Sequence, residues 1–164
     1  AGMQSCDILS KENNCEGNDI DPIEPIIYLR ANFSDESMFL FPGHILSEAD
    51  RMIITGSIQK EYCDGKRSGY FTYSSNFSPS EMTTDQLTKG FYLPQPYQYK
   101  FDNKKDELIV ILRIKVYMHD NTMYESGEYV RRYNHTSIKY DVNSLKSYII
   151  LDFSINPQWV TVTN

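Results

Sequence analysis

The sequence has few cysteines, no long apolar run and little positive charge. Its 164 residues include three cysteines, one tryptophan and three histidines, and the formal net charge is −6. No apolar stretch approaches the roughly 18 residues that a membrane-spanning helix needs, so we expect no membrane insertion. Nucleic acids bind basic surfaces, so the acidic balance also argues against nucleic acid as a partner.

Tyrosine is the residue that the chain has in excess. The 13 tyrosines and 8 phenylalanines favour β-structure, because aromatic side chains fit a pleated surface. With 40% hydrophobic residues the chain can bury a core, and its length fits one domain.

Alternating hydrophobicity predicts several strands. The clearest is Glu107–Met118, in which every second residue from Leu108 onward is aliphatic or Met, while the opposite row passes from Ile109 to Arg113 and Lys115. Further strands are predicted at Ile26–Phe33, Arg51–Ile58, Gly69–Ser74, Tyr124–Tyr133, Ser147–Ile155 and Trp159–Thr163.

At most one short helix is expected. Ser78 and Glu81 have capping-box spacing around Pro79, and Gly90 is a suitable stop. Strands joined by turns without helical crossovers predict an all-β fold, an antiparallel β-sandwich, with helix below about a tenth of the residues.

The chain divides into an arm and a body. Residues 1–24 are polar and aperiodic, and Pro22 and Pro25 close this segment because neither fits a helix interior. We therefore predict an N-terminal arm over 1–24 and a single β-sandwich domain over 25–164.

The cysteines match no zinc pattern. Cys6 and Cys15 bracket a short polar loop, which favours a local disulfide between them and leaves Cys63 single. The competing arrangement pairs Cys15 with Cys63 and attaches the arm to the body.

Three Asn-x-Ser/Thr sequons are candidate N-glycosylation sites. Asn32, Asn76 and Asn134 each begin one, in polar surroundings that suggest loops or strand ends. Together with the cysteines they favour a secreted protein or the extracellular part of a larger one.

No catalytic motif is found. The sequence lacks a Gly-x-Ser-x-Gly elbow, a phosphate-binding glycine loop and a His-Glu-x-x-His pair. Asp19, Asp21 and Glu24 could offer oxygen ligands to calcium, but Pro22 and Pro25 disrupt the register that a calcium loop needs. We expect a non-enzymatic protein without metal or cofactor.

Two segments are candidate binding sites. Phe91 and Tyr92 belong to an apolar, aromatic stretch that ends in Pro94, which suits contact with a protein. Arg131, Arg132 and Tyr133 form the alternative, because guanidinium groups beside an aromatic ring suit a sugar. A solvated sheet face is the ordinary interpretation of such a doubled arginine.

The order of these segments resembles the galectins, the β-galactoside-binding jelly-roll family. Phe41-Pro42-Gly43 followed by Arg51–Ile58 is similar to the opening of that fold. Pro96–Phe101 with Glu107–Ile111 is similar to its central strands, and the chain from Val130 to Val162 to its closing ones. The resemblance covers about residues 38 to 163 and implies a galectin-like jelly roll.

The galactoside-binding motif of that family is missing. Galectins carry a His-x-Asn-x-Arg strand and a Trp-x-x-Glu-x-Arg strand in the interval that corresponds to Ser75–Gln98, which contains no His, Arg or Trp here. We therefore expect a protein-interaction module without lactose or galactose affinity. The alternative is a lectin with an altered, non-galactoside site.

Overall fold

Strands dominate the computed structural model, which describes residues 15–41, 43–68, 71–94 and 97–162, apart from the side chain of Phe153. Strands account for 55% of the structure and helices, with 3-10 turns included, for 13%. The helical share exceeds the expected tenth because short 3-10 turns follow several strands. They lie at Glu36–Met38, Leu46–Glu48, Pro79–Glu81 and His135–Ser137.

The described residues form fifteen strands and one α-helix, α1 (Thr84–Lys89). In chain order the strands are β1 (Asp19–Ile23), β2 (Ile26–Phe33), β3 (Phe39–Leu40), β4 (His44–Ile45), β5 (Arg51–Glu61), β6 (Phe71–Phe77), β7 (Phe91–Tyr92), β8 (Tyr97–Gln98), β9 (Phe101–Asn103), β10 (Glu107–Tyr117), β11 (Met123–Glu125), β12 (Tyr129–Asn134), β13 (Lys139–Asp141), β14 (Lys146–Ile155) and β15 (Val160–Val162).

The larger sheet is built around β5 and β10. Its order is β15–β11–β10–β5–β6, and β12 pairs with β10 next to β11. β5 and β10 pair antiparallel over eleven residues each, from Glu61 opposite Glu107 to Arg51 opposite Tyr117. This unbroken ladder gives the sheet its centre.

The smaller sheet has the order β13–β14–β2, with β7 and β8 both on the far side of β2. β2 and β14 run parallel, from Ile26 beside Tyr148 to Phe33 beside Ile155. The sandwich is predominantly antiparallel, as predicted, and this pair is the parallel exception among the described strands. Alternating hydrophobicity encodes which face a residue occupies but not the direction of the neighbouring strand, and most of the chain lies between these two strands.

The two sheets share one hydrophobic core and form an all-β sandwich. The predicted inward row of β10 is buried, from Leu108 to Val116, and Met118 just beyond it is 5% exposed. The smaller sheet contributes alternate residues of β2 and β14 to the same core. These are Ile27, Leu29, Ala31, Phe33, Ile149, Leu151 and Ile155.

The helix lies one turn later than the sequence predicted. Ser78 makes no side-chain cap, and Pro79 opens a 3-10 turn. The capping box is formed instead by Thr83 and Gln86: the Thr83 hydroxyl accepts from the Gln86 N–H at 3.0 Å, and the Thr83 N–H donates to Gln86 Oε1 at 2.8 Å. Gly90 ends the helix at φ +132°, as predicted.

The described part of the arm is attached to the body by a strand and a disulfide. β1 pairs with β9, and the disulfide joins Cys15 to Cys63. The favoured pairing of Cys6 with Cys15 is therefore wrong, and the alternative is correct. Asn103 in β9 donates through Nδ2 to the Cys15 carbonyl at 2.8 Å, which holds Cys15 against the body. Cys6 lies outside the described residues.

A buried ion pair supports the same corner. Lys60 is 4% exposed and Asp106 is fully buried, and Lys60 Nζ lies 3.4 Å from Asp106 Oδ2. The carboxylate also accepts the N–H of Cys63 at 3.0 Å and that of Asp102 at 3.2 Å. A buried carboxylate needs such partners, because water cannot solvate it.

We expect Gly56→Ala to destabilise the domain by about 3 kcal/mol or more. A Cβ atom on Gly56 would collide with the Ile111 carbonyl oxygen and the Tyr73 hydroxyl, which are hydrogen-bonded to each other. Urea unfolding measures the loss. Thr55→Ala, at an exposed neighbouring position, is the control and should change stability little; equal stability of the two variants would contradict this packing.

Candidate functional site

The outer face of the smaller sheet presents aromatic and charged side chains in rows. Alternate residues of β2 from Ile27 to Phe33 are buried. Because side chains alternate along a strand, Tyr28, Arg30 and Asn32 lie on the outer face.

The parallel register brings matching residues of β14 next to these positions. Ile150 lies beside Tyr28, and Asp152 lies beside Arg30. The face therefore changes along the strands from apolar and aromatic at one end to charged at the other.

A groove of about 580 Å³ crosses the apolar end of this face. Its walls are mainly aliphatic and tyrosine side chains, with one carboxylate and one ammonium group, a composition common in binding sites. The groove is lined by Ile26, Tyr28, Tyr92, Leu93, Asp141, Ser144, Lys146, Tyr148 and Ile150.

Arg30 and Asp152 form a bidentate ion pair beside the groove. Arg30 Nη2 lies 2.5 Å and Nε 3.3 Å from the Asp152 carboxylate oxygens, and Asn32 Nδ2 donates to the same carboxylate at 3.1 Å. The hydrogen bond to Asp152 raises the pKa of Arg30. Tyr92 is the register partner of Arg30 in the pairing of β7 with β2, so the ion pair lies next to one wall of the groove.

Two tyrosine rings form part of the groove surface. The rings of Tyr28 and Tyr92 meet edge to face, with centroids 6.2 Å apart and planes at 74°. Tyr92 is 52% exposed. The two rings contact each other, and both keep a solvent-exposed surface that a ligand could reach.

The turn between β13 and β14 places further apolar side chains next to the groove. Val142 is 71% and Leu145 73% exposed; Asp141, at the end of β13, and Ser144, in the turn, line the groove. Leu145 has φ +56°, a left-handed conformation that bulky residues rarely adopt. Backbone strain of this kind concentrates at functional sites.

The structure separates the two residues predicted to contact a partner. Phe91 is 9% exposed; its ring stacks on Phe33 at 6.2 Å and meets Phe77 edge to face at 5.0 Å. Its predicted exposure is therefore wrong, because Phe91 pairs with inward-facing Ala31. Tyr92 points outwards into the groove wall.

The structure does not bring Arg131, Arg132 and Tyr133 together as one clamp. Successive residues of β12 face opposite sides of the sheet. Arg132 Nη1 lies 3.3 Å from Glu61, whereas the Tyr133 hydroxyl donates to the Asp152 carbonyl on the smaller sheet at 3.1 Å. Arg132 therefore faces away from Arg131 and Tyr133, and a ligand site at Arg131 and Tyr133 stays a prediction.

The three sequon asparagines lie in different places. Asn32 is half-buried on the groove face, whereas Asn76 and Asn134 are exposed at the ends of β6 and β12. Asn76 Oδ1 accepts from Arg51 Nε at 3.2 Å, and Asn134 Oδ1 accepts from the Thr136 N–H at 3.0 Å. Glycosylation at each position stays a prediction.

One His–Asp–hydroxyl chain was missed by the sequence analysis. His44 Nδ1 lies 2.6 Å from the Tyr124 hydroxyl, and His44 Nε2 lies 2.9 Å from Asp120 Oδ2. Hydrogen bonds from Thr122, with a smaller contribution from His44, lower the pKa of Asp120 to about 2. Tyr124 is fully buried, so this chain of hydrogen bonds anchors a core phenol.

Among the described residues, no group of three or more His, Cys, Asp or Glu side chains is arranged to hold a metal ion. Within the same ranges, no helix has the length and apolar character required to cross a membrane. Comparison with known proteins finds no matching family model, no matching curated protein and no matching solved structure. The resemblance to galectins therefore stays a prediction.

Phe91→Ala and Tyr92→Ala should differ sharply in stability. Loss of the buried Phe91 ring leaves a cavity between Phe33 and Phe77, which costs about 3–5 kcal/mol. Loss of the half-exposed Tyr92 ring should cost less than about 1 kcal/mol. Denaturant unfolding of both variants measures the difference, and a reversed order would contradict the register of β7.

The domain should lose stability at alkaline pH through its buried phenols. Burial raises the pKa of Tyr99 and Tyr133 to about 12 and also raises that of Tyr73. The folded state therefore favours the protonated phenols. Their contribution is complete below the ordinary tyrosine pKa of about 10 and is lost as the pH rises through about 12.

Unfolding midpoints measured across this range, with tyrosinate absorbance recorded in parallel, test the expectation. Tyr133→Phe should reduce the alkaline loss, whereas Tyr140→Phe, at an exposed position, is the control. A free energy of unfolding that stays constant up to pH values near 12 would contradict the expected alkaline loss of stability.

Proposed function

We propose that this protein is a non-catalytic, extracellular protein-interaction module that binds its partner on the outer face of the smaller sheet. The observation that carries the proposal is the groove between Tyr28, Tyr92, Tyr148 and Ile150. Apolar and tyrosine-rich surfaces rimmed by charge are typical of the centre of a protein interface.

The surroundings of the groove favour a protein over a small molecule. Val142 and Leu145 are exposed in the turn whose residue Ser144 lines the groove, and the Arg30–Asp152 pair lies on the same outer face of the sheet. A partner protein covers such an extended surface, whereas a small ligand fills only the groove.

The disulfide between Cys15 and Cys63 supports an extracellular setting. Disulfides persist in oxidising compartments and are rare where thiols are kept reduced. The exposed sequon at Asn134 would be available for glycosylation in the same setting.

A lectin with an altered site is the second candidate. It is favoured by the polar row Arg30, Asp152 and Asn32 next to the rings of Tyr28 and Tyr92, since sugars stack on aromatic rings and bind charged hydrogen-bonding groups. This site is proposed beside the predicted one at Arg131, Arg132 and Tyr133.

The two candidates are separated by a photo-crosslinking experiment combined with a glycan array. A photoreactive phenylalanine analogue at Tyr28 should capture one defined extracellular protein. The same analogue at Tyr140, which is 59% exposed and does not line the groove, is the matched control and should not capture it. Capture at both positions would contradict a docking site in the groove.

Tyr28→Ala should then weaken binding of the captured partner by about tenfold or more, as expected for an aromatic residue at the centre of an interface. Titration calorimetry with lactose and galactose should show no binding by the wild-type chain. Glycan binding that is lost in Tyr28→Ala would overturn the protein-interaction proposal in favour of the lectin.

A further inference from the structure

We propose that the edge strand β6 pairs with β6 of a second copy of the chain, antiparallel about a two-fold axis. The larger sheet ends at β6, whose ladder partner in the described part of the chain is β5. An open edge presents main-chain N–H and C=O groups to another strand. This inference concerns the opposite sheet from the groove and does not depend on the proposed function.

The composition of β6 favours pairing. Its sequence, Phe-Thr-Tyr-Ser-Ser-Asn-Phe, has seven residues without a charge or a proline. Natural edge strands are usually protected by charge, by proline or by shortness.

Other edges in the described ranges carry such protection. β15 and β13 are three residues long, and β7 is two residues long and followed closely by Pro94. β12 carries Arg131 and Arg132, and Tyr133 connects it to β14. The absence of protection on β6 therefore distinguishes this edge from the rest.

The aromatic side chains of β6 already pack against the core of their own chain. The ring of Phe71 lies 5.7 Å from Tyr97 and 5.9 Å from Tyr99, and that of Phe77 lies 5.0 Å from Phe91. A second strand can therefore add to the edge of the sheet without entering the core.

The strand is complementary to itself. An antiparallel pair centred on Ser74 places Phe71 opposite Phe77, Thr72 opposite Asn76 and Tyr73 opposite Ser75. Each pair is neutral, so no like charges meet although each copy carries a net charge of −6. Aromatic pairs and hydroxyl–amide pairs stabilise cross-strand contacts, and two-fold dimers are the commonest closed assemblies.

Sedimentation velocity of the full chain tests the dimer. The wild-type chain should dimerise as its concentration rises, and Ser74→Lys should weaken the dimer by about tenfold or more, because like charges would face each other at the two-fold axis. Thr55→Lys is the matched control: Thr55 pairs with Ser74 and is also exposed, but lies on an interior strand. Its dimer should match the wild type.

Crosslinking gives a second measurement, which detects the dimer directly and does not rely on a variant that weakens it. Ser74→Cys in a Cys6→Ser background should form an intermolecular disulfide, because residues directly opposite each other in an antiparallel pair have Cα atoms about 4.5–5.5 Å apart. Thr55→Cys in the same background should not. A wild-type chain that stays monomeric, equal weakening by both lysine variants, or equal crosslinking at both cysteines would overturn the proposal.

Discussion

The parallel pairing of β2 with β14 is the constraint on which the outer face of the smaller sheet depends. It places Arg30 beside Asp152 and Tyr28 beside Ile150. The opposite charges therefore form an ion pair, and the two apolar side chains are neighbours. A slip of one residue would turn the buried row of β14 towards solvent and place Asp152 in the core. The register is therefore set by burial on one face, and the ion pair on the other face agrees with it.

The sequence pattern was most informative where a strand is long and lies at the centre of a sheet. The alternation from Leu108 to Val116 predicted both a strand and its buried face, because one side of β10 is covered along its whole length. β2 was predicted with its observed bounds for the same reason. The long strand predicted over Tyr124–Tyr133 divides into β11 and β12 around Gly127, which has φ +60°.

The alternation of hydrophobic residues predicts neither very short strands nor which strands pair with each other. β7 has two residues, too few to show a period, and only its pairing with β2 determines that Phe91 faces inwards and Tyr92 outwards. The groove combines residues of β2, β7, β13 and β14, which adjoin one another only in the folded sheet. Its tyrosines were visible as a compositional excess, but nothing in the sequence indicated which of them share a face.

The disulfide has a mechanical consequence. Because Cys15 is joined to Cys63, tension applied along the chain from either side of the domain passes between these two residues through the covalent bridge. The segment between them, which includes β2, lies in a closed loop and is bypassed by that force. The strand β2 is thus shielded from pulling, whereas β14 follows Cys63 in the chain and carries the load, so tension would reach the groove through β14 rather than through β2.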